Sequence, residues 1–110
     1  MVVEDELFIA LHLQDVLEKG GFRVLGPVGS VSQAIDLIDN ERPDAAVLDV
    51  NLGPENAAPV AFHLKELGVP YVLASARDTR GLAWHPLLAD VVNLGKPTDP
   101  ERLIDAIRAL

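Results

Sequence analysis

The chain has no cysteine among its 110 residues, which excludes a disulfide framework, a thiolate zinc site and a cysteine nucleophile. Basic residues are scarce: nine lysines and arginines face seventeen acids, for a net charge of −8. Phosphate backbones are bound by excess Lys and Arg, so no direct nucleic-acid partner is expected. No apolar run approaches the roughly 20 residues of a membrane span, so no membrane partner is expected either. The start, Met1-Val2-Val3-Glu4, carries no basic region or cleavage signal, and a cytoplasmic location is the expectation. Neither a Walker-type glycine loop nor a dinucleotide fingerprint occurs. The three histidines, His12, His63 and His85, lack ligand spacing, so surface or helix-side roles are expected of them.

What is present is ordinary for one globular domain: 49% hydrophobic and 24% charged residues, long enough to bury its own core. Apolar periods alternate along the chain. A short run at residues 1–3 ends in acids. Residues 7–19 carry Ile9, Leu13, Val16 and Leu17 at helical spacing and stop at Gly20-Gly21. Residues 22–25 read as a strand closed by Gly26-Pro27, and 32–40 as a helix capped by Ser30 or Ser32. A buried-strand run at 44–50 precedes a helix at 56–67, which Gly68 stops, and 70–74 is again strand-like. Residues 80–88, with Trp84 and interrupted by Pro86, are the least regular. A last strand at 90–94 leads to a closing helix with Asp99 as N-cap and Pro100 at its first position. The order is (βα)5, an α/β fold with a doubly wound parallel sheet.

Four short stretches sit at the ends of these runs: Val3-Glu4-Asp5-Glu6, Val47-Leu48-Asp49, Ala74-Ser75-Ala76 and Gly95-Lys96-Pro97. The carboxyl ends of parallel strands share one rim, where ligands bind. Glu4, Asp5, Asp49, Ser75 and Lys96 therefore meet there. Clustered carboxylates repel and raise one another's pKa. A hard cation such as Mg²⁺ resolves that conflict with one or two direct carboxylates, and the loop from Asn51 to Pro54 can lend a backbone carbonyl. An Asp can then attack phosphorus, with Ser75 and Lys96 as donors to the transferring group. Each residue alone also fits a bland role: solvated acids, a loop cap at Asp49 or Ser75, a surface lysine. Their joint order favours the chemical reading.

The four motifs, with 44 residues from Asp5 to Asp49, 26 more to Ser75 and 21 more to Lys96, resemble those of a response-regulator receiver domain over essentially the whole chain. The resemblance implies a five-stranded, flavodoxin-like sheet in the order 2-1-3-4-5. It implies that Asp49 takes phosphate from a sensor histidine kinase or a histidine phosphotransfer protein. Asp5, Asp49 and the Asn51 carbonyl would bind Mg²⁺ directly, with Glu4 acting through water. Lys96 would pair with the phosphoryl oxygens across a cis Lys96-Pro97 bond, and Ser75 would swing toward them to alter the surface offered to a downstream protein. Asn51 and Arg77, bordering the site, would tune the phosphate's lifetime.

Such a protein is not a conventional enzyme; at most it phosphorylates itself from small donors and dephosphorylates itself. A single receiver of residues 1–110 without an output domain, monomeric or weakly dimeric, is the expectation, and a receiver cut from a longer protein is equally compatible. Three departures stand out. Asn93 occupies the position three before Lys96 where the family carries an aromatic or His. Only three residues precede Glu4, and the segment 79–89 is short for a fourth helix. The alternative is a receiver-fold interaction module that no longer cycles phosphate. A flavodoxin-like small-ligand enzyme is disfavoured, because Glu4-Asp5-Glu6 stands where a phosphate loop would be needed.

Overall fold

A computed structural model describes residues 1–76, 86–89 and 91–110. The elements are β1 (Val2–Val3), α1 (Leu7–Lys19), α2 (Val31–Asn40), β2 (Ala46–Leu48), β3 (Asn51–Leu52), β4 (Glu55–Asn56), α3 (Ala58–Glu66), β5 (Tyr71–Leu73), α4 (Pro86–Ala89) and α5 (Pro100–Arg108). Strands β1, β2 and β5 form a parallel sheet in that order, pairing Val3 with Leu48 and Leu48 with Leu73. Single parallel bridges extend it at both edges, Val3 to Val28 and Leu73 to Asn93. The succession across the sheet is therefore the expected 2-1-3-4-5, with the two outer strands of the expected five reduced to one bridge each.

The reduction at the Val28 edge has a local cause. Val2 donates to the Leu25 carbonyl and accepts from the Val28 N–H, so Gly26-Pro27 between them is a detour. Pro27 has no N–H to offer a ladder, which confines such a segment to a sheet edge. Gly26 has φ +88°, and a Cβ there would lie 3.0 Å from the Val2 carbonyl oxygen. Residues 22–25 are accordingly not a regular strand.

Alternation along the central strands produces the two-sided core. Val2, Val47 and Val72 point to one face, where Leu13 and Leu17 of α1 and Leu103 of α5 cover them. Val3, Leu48 and Leu73 point to the other, under Ala34 and Ile38 of α2, Val60, Ala61 and Leu64 of α3, and Leu88 of α4. Strands buried on both faces are what a parallel sheet with helices on each side requires. Each fully buried leucine contributes on the order of 1.5–3 kcal/mol of apolar burial.

Helix ends follow their sequence signals. The Ser30 hydroxyl accepts from the Gln33 N–H at the start of α2, and an Asp99 carboxylate oxygen accepts from Glu101 and Arg102 at the start of α5. Helix α1 spans the expected 7–19, with Gly21 at φ +91° just beyond its end. The antiparallel hairpin β3–β4 stands where a loop and the first turn of α3 were expected. Gly53, at φ +61°, and Pro54 make its two-residue turn, the geometry that favours glycine in tight hairpins. Trp84, His85 and Arg77 lie outside the described residues. His63 lies on the side of α3, its Nε2 2.7 Å from Asp39 Oδ1 of α2.

Candidate functional site

The sheet places the rim residues by register. Glu4 follows β1 directly and Asp49 follows β2, while Ser75 comes two residues after β5. Lys96 arrives from the adjacent edge through Gly95, which has φ +81°, and the Lys96-Pro97 bond is cis. The sheet thus brings Glu4, Asp5, Asp49, Ser75 and Lys96 together.

Asp49 is the centre. It is buried, and its Oδ1 accepts from the Ser75 hydroxyl at 2.8 Å while its Oδ2 accepts from Lys96 Nζ at 2.7 Å. Ser75 Oγ in turn accepts from the Val50 N–H at 2.7 Å, so the hydroxyl proton is free to point at the carboxylate. The Asn51 N–H reaches Asp49 Oδ1 at 3.4 Å.

Lys96 also lies 2.6 Å from Glu4 Oε1. Glu4, expected to reach Mg²⁺ through water, is also a buried ion-pair partner of Lys96, and it accepts from the Glu6 N–H through Oε2. Burial pushes the Glu4 carboxyl up to about 7, the neighbouring Asp49 adds to the rise, and Lys96 opposes it. Burial alone would lower the Lys96 pKa, but its bonds to Asp49 and Glu4 outweigh that and hold it above the ordinary value. The ammonium is therefore charged throughout the neutral range.

Two buried acids pair with this ammonium, and the exposed Asp5 lies beside them. Glu4, Asp5 and Asp49 offer ligand oxygens that all lie within 4.8 Å of one another. Among the described residues, Glu4 Oε1 has no hydrogen-bond partner beyond the Lys96 ion pair. An all-oxygen, excess-negative donor set of this kind fits a hard divalent cation. Asp5 is held ready by the hairpin, since the Gly53 N–H donates to its Oδ2 at 2.8 Å.

Two contributors were not legible as such from the sequence. Asn93 accepts through Oδ1 from both the Ser75 N–H at 3.1 Å and the Gly95 N–H at 3.0 Å. Buried Thr98 donates its hydroxyl to the Gly95 carbonyl at 2.7 Å. Asn93 stood out only as a missing aromatic. The signal for a brace was its place two residues before Gly95, the spacing at which an Asn side chain accepts from a backbone N–H.

The family model of the response regulator receiver domain matches residues 1–108. The chain belongs to that family: it is a receiver domain of two-component response regulators. It is 30% identical to the uncharacterized transcriptional regulatory protein YbdJ of Bacillus subtilis (strain 168), over 98% of this chain and 48% of that protein. It is 20% identical to the chemotaxis protein CheY of Thermotoga maritima, over 97% of this chain and 92% of CheY. Among solved structures, the BeF3-activated conformation of SdrG from Pseudomonas melonis Fr1 is 34% identical and superposes with a TM-score of 0.79, over 98% of this chain and 91% of SdrG. The chain spans about half the length of several curated relatives, YbdJ and the Mycobacterium tuberculosis regulator PdtaR among them.

Proposed function

We propose that this receiver is a working phosphoacceptor, with Asp49 taking a phosphoryl group from a phosphohistidine of a sensor histidine kinase or histidine phosphotransfer protein. The observation that carries the reading is the buried Asp49 carboxylate with a hydroxyl on one oxygen and an ammonium on the other. Both contacts are transferable. When an Asp49 oxygen attacks phosphorus and the P–N bond breaks, the phosphoryl oxygens take over the donors that the carboxylate held. Ser75 then turns its O–H from Oδ1 to the phosphoryl group, and Lys96 follows with its charge. Such preorganised donors stabilise charge as it develops, without reorganisation cost.

Mg²⁺ held by Asp5 and Asp49, with the Asn51 carbonyl and with Glu4 through water, would neutralise the approaching phosphoryl charge. The residues of this chain do the positioning. The Gly53 N–H orients Asp5, the Val50 N–H orients Ser75, and Glu4 holds Lys96 near the rim until the phosphoryl group competes for it. The resulting shift of the Ser75 and Lys96 side chains would change the surface offered to a downstream protein, a change of population driven by contacts that exist only in the phosphorylated state. A cytoplasmic, monomeric or weakly dimeric protein without nucleic-acid contacts fits this role and the net charge of −8. SdrG, described in a BeF3-activated conformation, supports the reading by its likeness.

The alternative, an interaction module that no longer cycles phosphate, is favoured by one observation: Asn93 replaces the usual aromatic and ties Ser75 down. Fluoroberyllate, a phosphoryl mimic, separates the two. With Mg²⁺ it is expected to shift the backbone amide resonances of Val50, Ser75 and Lys96 in wild type and not in Asp49→Asn. Unchanged resonances in wild type at saturating Mg²⁺ would select the interaction module.

A further inference from the structure

The parallel ladder between β5 and the chain leading to Lys96 stops abruptly. Leu73 donates to the Val92 carbonyl at 2.8 Å and accepts from the Leu94 N–H at 2.8 Å, one complete parallel rung around Asn93. In a regular parallel pair the next donor on β5's side, the Ser75 N–H, would go to the Leu94 carbonyl. It goes instead to the side-chain oxygen of Asn93. The same oxygen accepts from the Gly95 N–H, so one amide carbonyl stands in for the ladder and joins two backbones. Both partners are N–H donors, so the atom facing them is the oxygen.

The two N–H groups belong to functional places. One is that of Ser75, whose hydroxyl sits on Asp49; the other is that of the residue immediately before Lys96, whose ammonium sits on the other oxygen of Asp49. Thr98 closes the loop from behind by donating to the Gly95 carbonyl. One side chain, that of Asn93, therefore ties together the two backbones that carry the phosphoryl donors.

We propose that Asn93 is a positioning residue of this receiver: its side-chain carbonyl replaces the next ladder rung and holds Ser75 and the Lys96 loop in one arrangement around Asp49. The proposal rests on the phosphoacceptor reading for its functional half and on the hydrogen bonds alone for its structural half. Two hydrogen bonds oppose rotation of this side chain, so the arrangement around Asp49 is held in the phosphate-free protein. Opening the clamp uncouples Ser75 from Lys96 without removing either.

The test uses the whole chain in four forms: wild type, Asn93→Asp, Asn93→Leu and Asn93→Ala. A carboxylate accepts the same two bonds; leucine keeps the bulk and accepts none; alanine is small, accepts none, and serves if leucine prevents folding. Amide hydrogen exchange at Ser75 and Gly95, read by NMR in the phosphate-free protein, is expected to accelerate roughly tenfold or more in Asn93→Leu and Asn93→Ala. In Asn93→Asp both amides stay protected, and Leu73 stays protected in all four. The lifetime of the aspartyl phosphate formed from acetyl phosphate is then expected to change several-fold in Asn93→Leu and Asn93→Ala, with Mg²⁺ affinity unchanged. Unaltered exchange at Ser75 and Gly95 in both clamp-breaking variants overturns the proposal, as does freed exchange with an unaltered phosphate lifetime. If wild type forms no adduct while the amides respond as expected, the phosphoacceptor reading fails and the functional half falls with it, leaving the clamp as a purely structural device.

Discussion

Replacing Glu4 by glutamine is expected to change the pH dependence of stability more than the fold. Glu4 is buried, and burial with Asp49 nearby raises its carboxyl from 4.5 to about 7. Between those values the folded protein keeps a proton that the unfolded chain has already released. The contribution to stability is therefore full below the unfolded value and is lost as pH rises through the folded one. With the two pKa values inserted, the wild type loses on the order of 2–3 kcal/mol relative to Glu4→Gln between about pH 5 and about pH 8. Lys96 stays charged over this window, and the amide oxygen of the substituted side chain can still accept from it, so the difference isolates the Glu4 proton. The assay is urea denaturation of both proteins in EDTA at several pH values, with transition slopes compared to confirm two-state behaviour. On the proposed reading Mg²⁺ would take over the proton's role, so saturating it at about 100 times its Kd should add about 2.7 kcal/mol and offset most of the loss at high pH. Stability curves that run parallel within about 0.5 kcal/mol would refute the reasoning, because the buried carboxyl would then titrate alike in both states.

Ser75→Ala removes the acceptor of the Val50 N–H and the donor to Asp49. It is expected to cost about 1–3 kcal/mol in urea denaturation, the usual penalty for orphaning buried polar groups. Asp99→Ala removes the cap that accepts from Glu101 and Arg102. A loss of about 1 kcal/mol in the same assay is expected, with Mg²⁺ affinity unchanged because neither cap bond reaches Glu4, Asp5 or Asp49. Asp5→Ala should weaken Mg²⁺ binding about tenfold or more and free the Gly53 N–H from which Asp5 accepts; an unchanged Mg²⁺ titration would place the cation elsewhere.

Much of this molecule was legible without coordinates, for physical reasons. Leu13 and Leu17, or Ala34 and Ile38, recur at helical spacing because each helix buries one face on the sheet, and the Ser30 and Asp99 caps announce themselves by residue type. The rim acids, Ser75 and Lys96 follow from topology, since strand ends of a parallel sheet meet. The outer strands were overread because apolar runs at 22–25 and 90–94 look alike whether or not a ladder forms. Gly26-Pro27 removes a donor from one, and the Asn93 side chain intercepts a donor from the other. The hairpin β3–β4 was missed because its polar residues, Asn51, Glu55 and Asn56, carry no alternating apolar signal. The Lys96 to Glu4 pair was also out of reach, because which of two acids an ammonium prefers depends on burial that composition does not encode.

Phosphoryl transfer to Asp49 is tested most directly by the intact mass of the protein after incubation with acetyl phosphate. Wild type, with Mg²⁺ and with EDTA, is compared with Asp49→Asn. The account predicts one phosphoryl group per chain, dependent on Mg²⁺ and absent from the mutant. An adduct that persists in Asp49→Asn, or that forms equally well in EDTA, would contradict it.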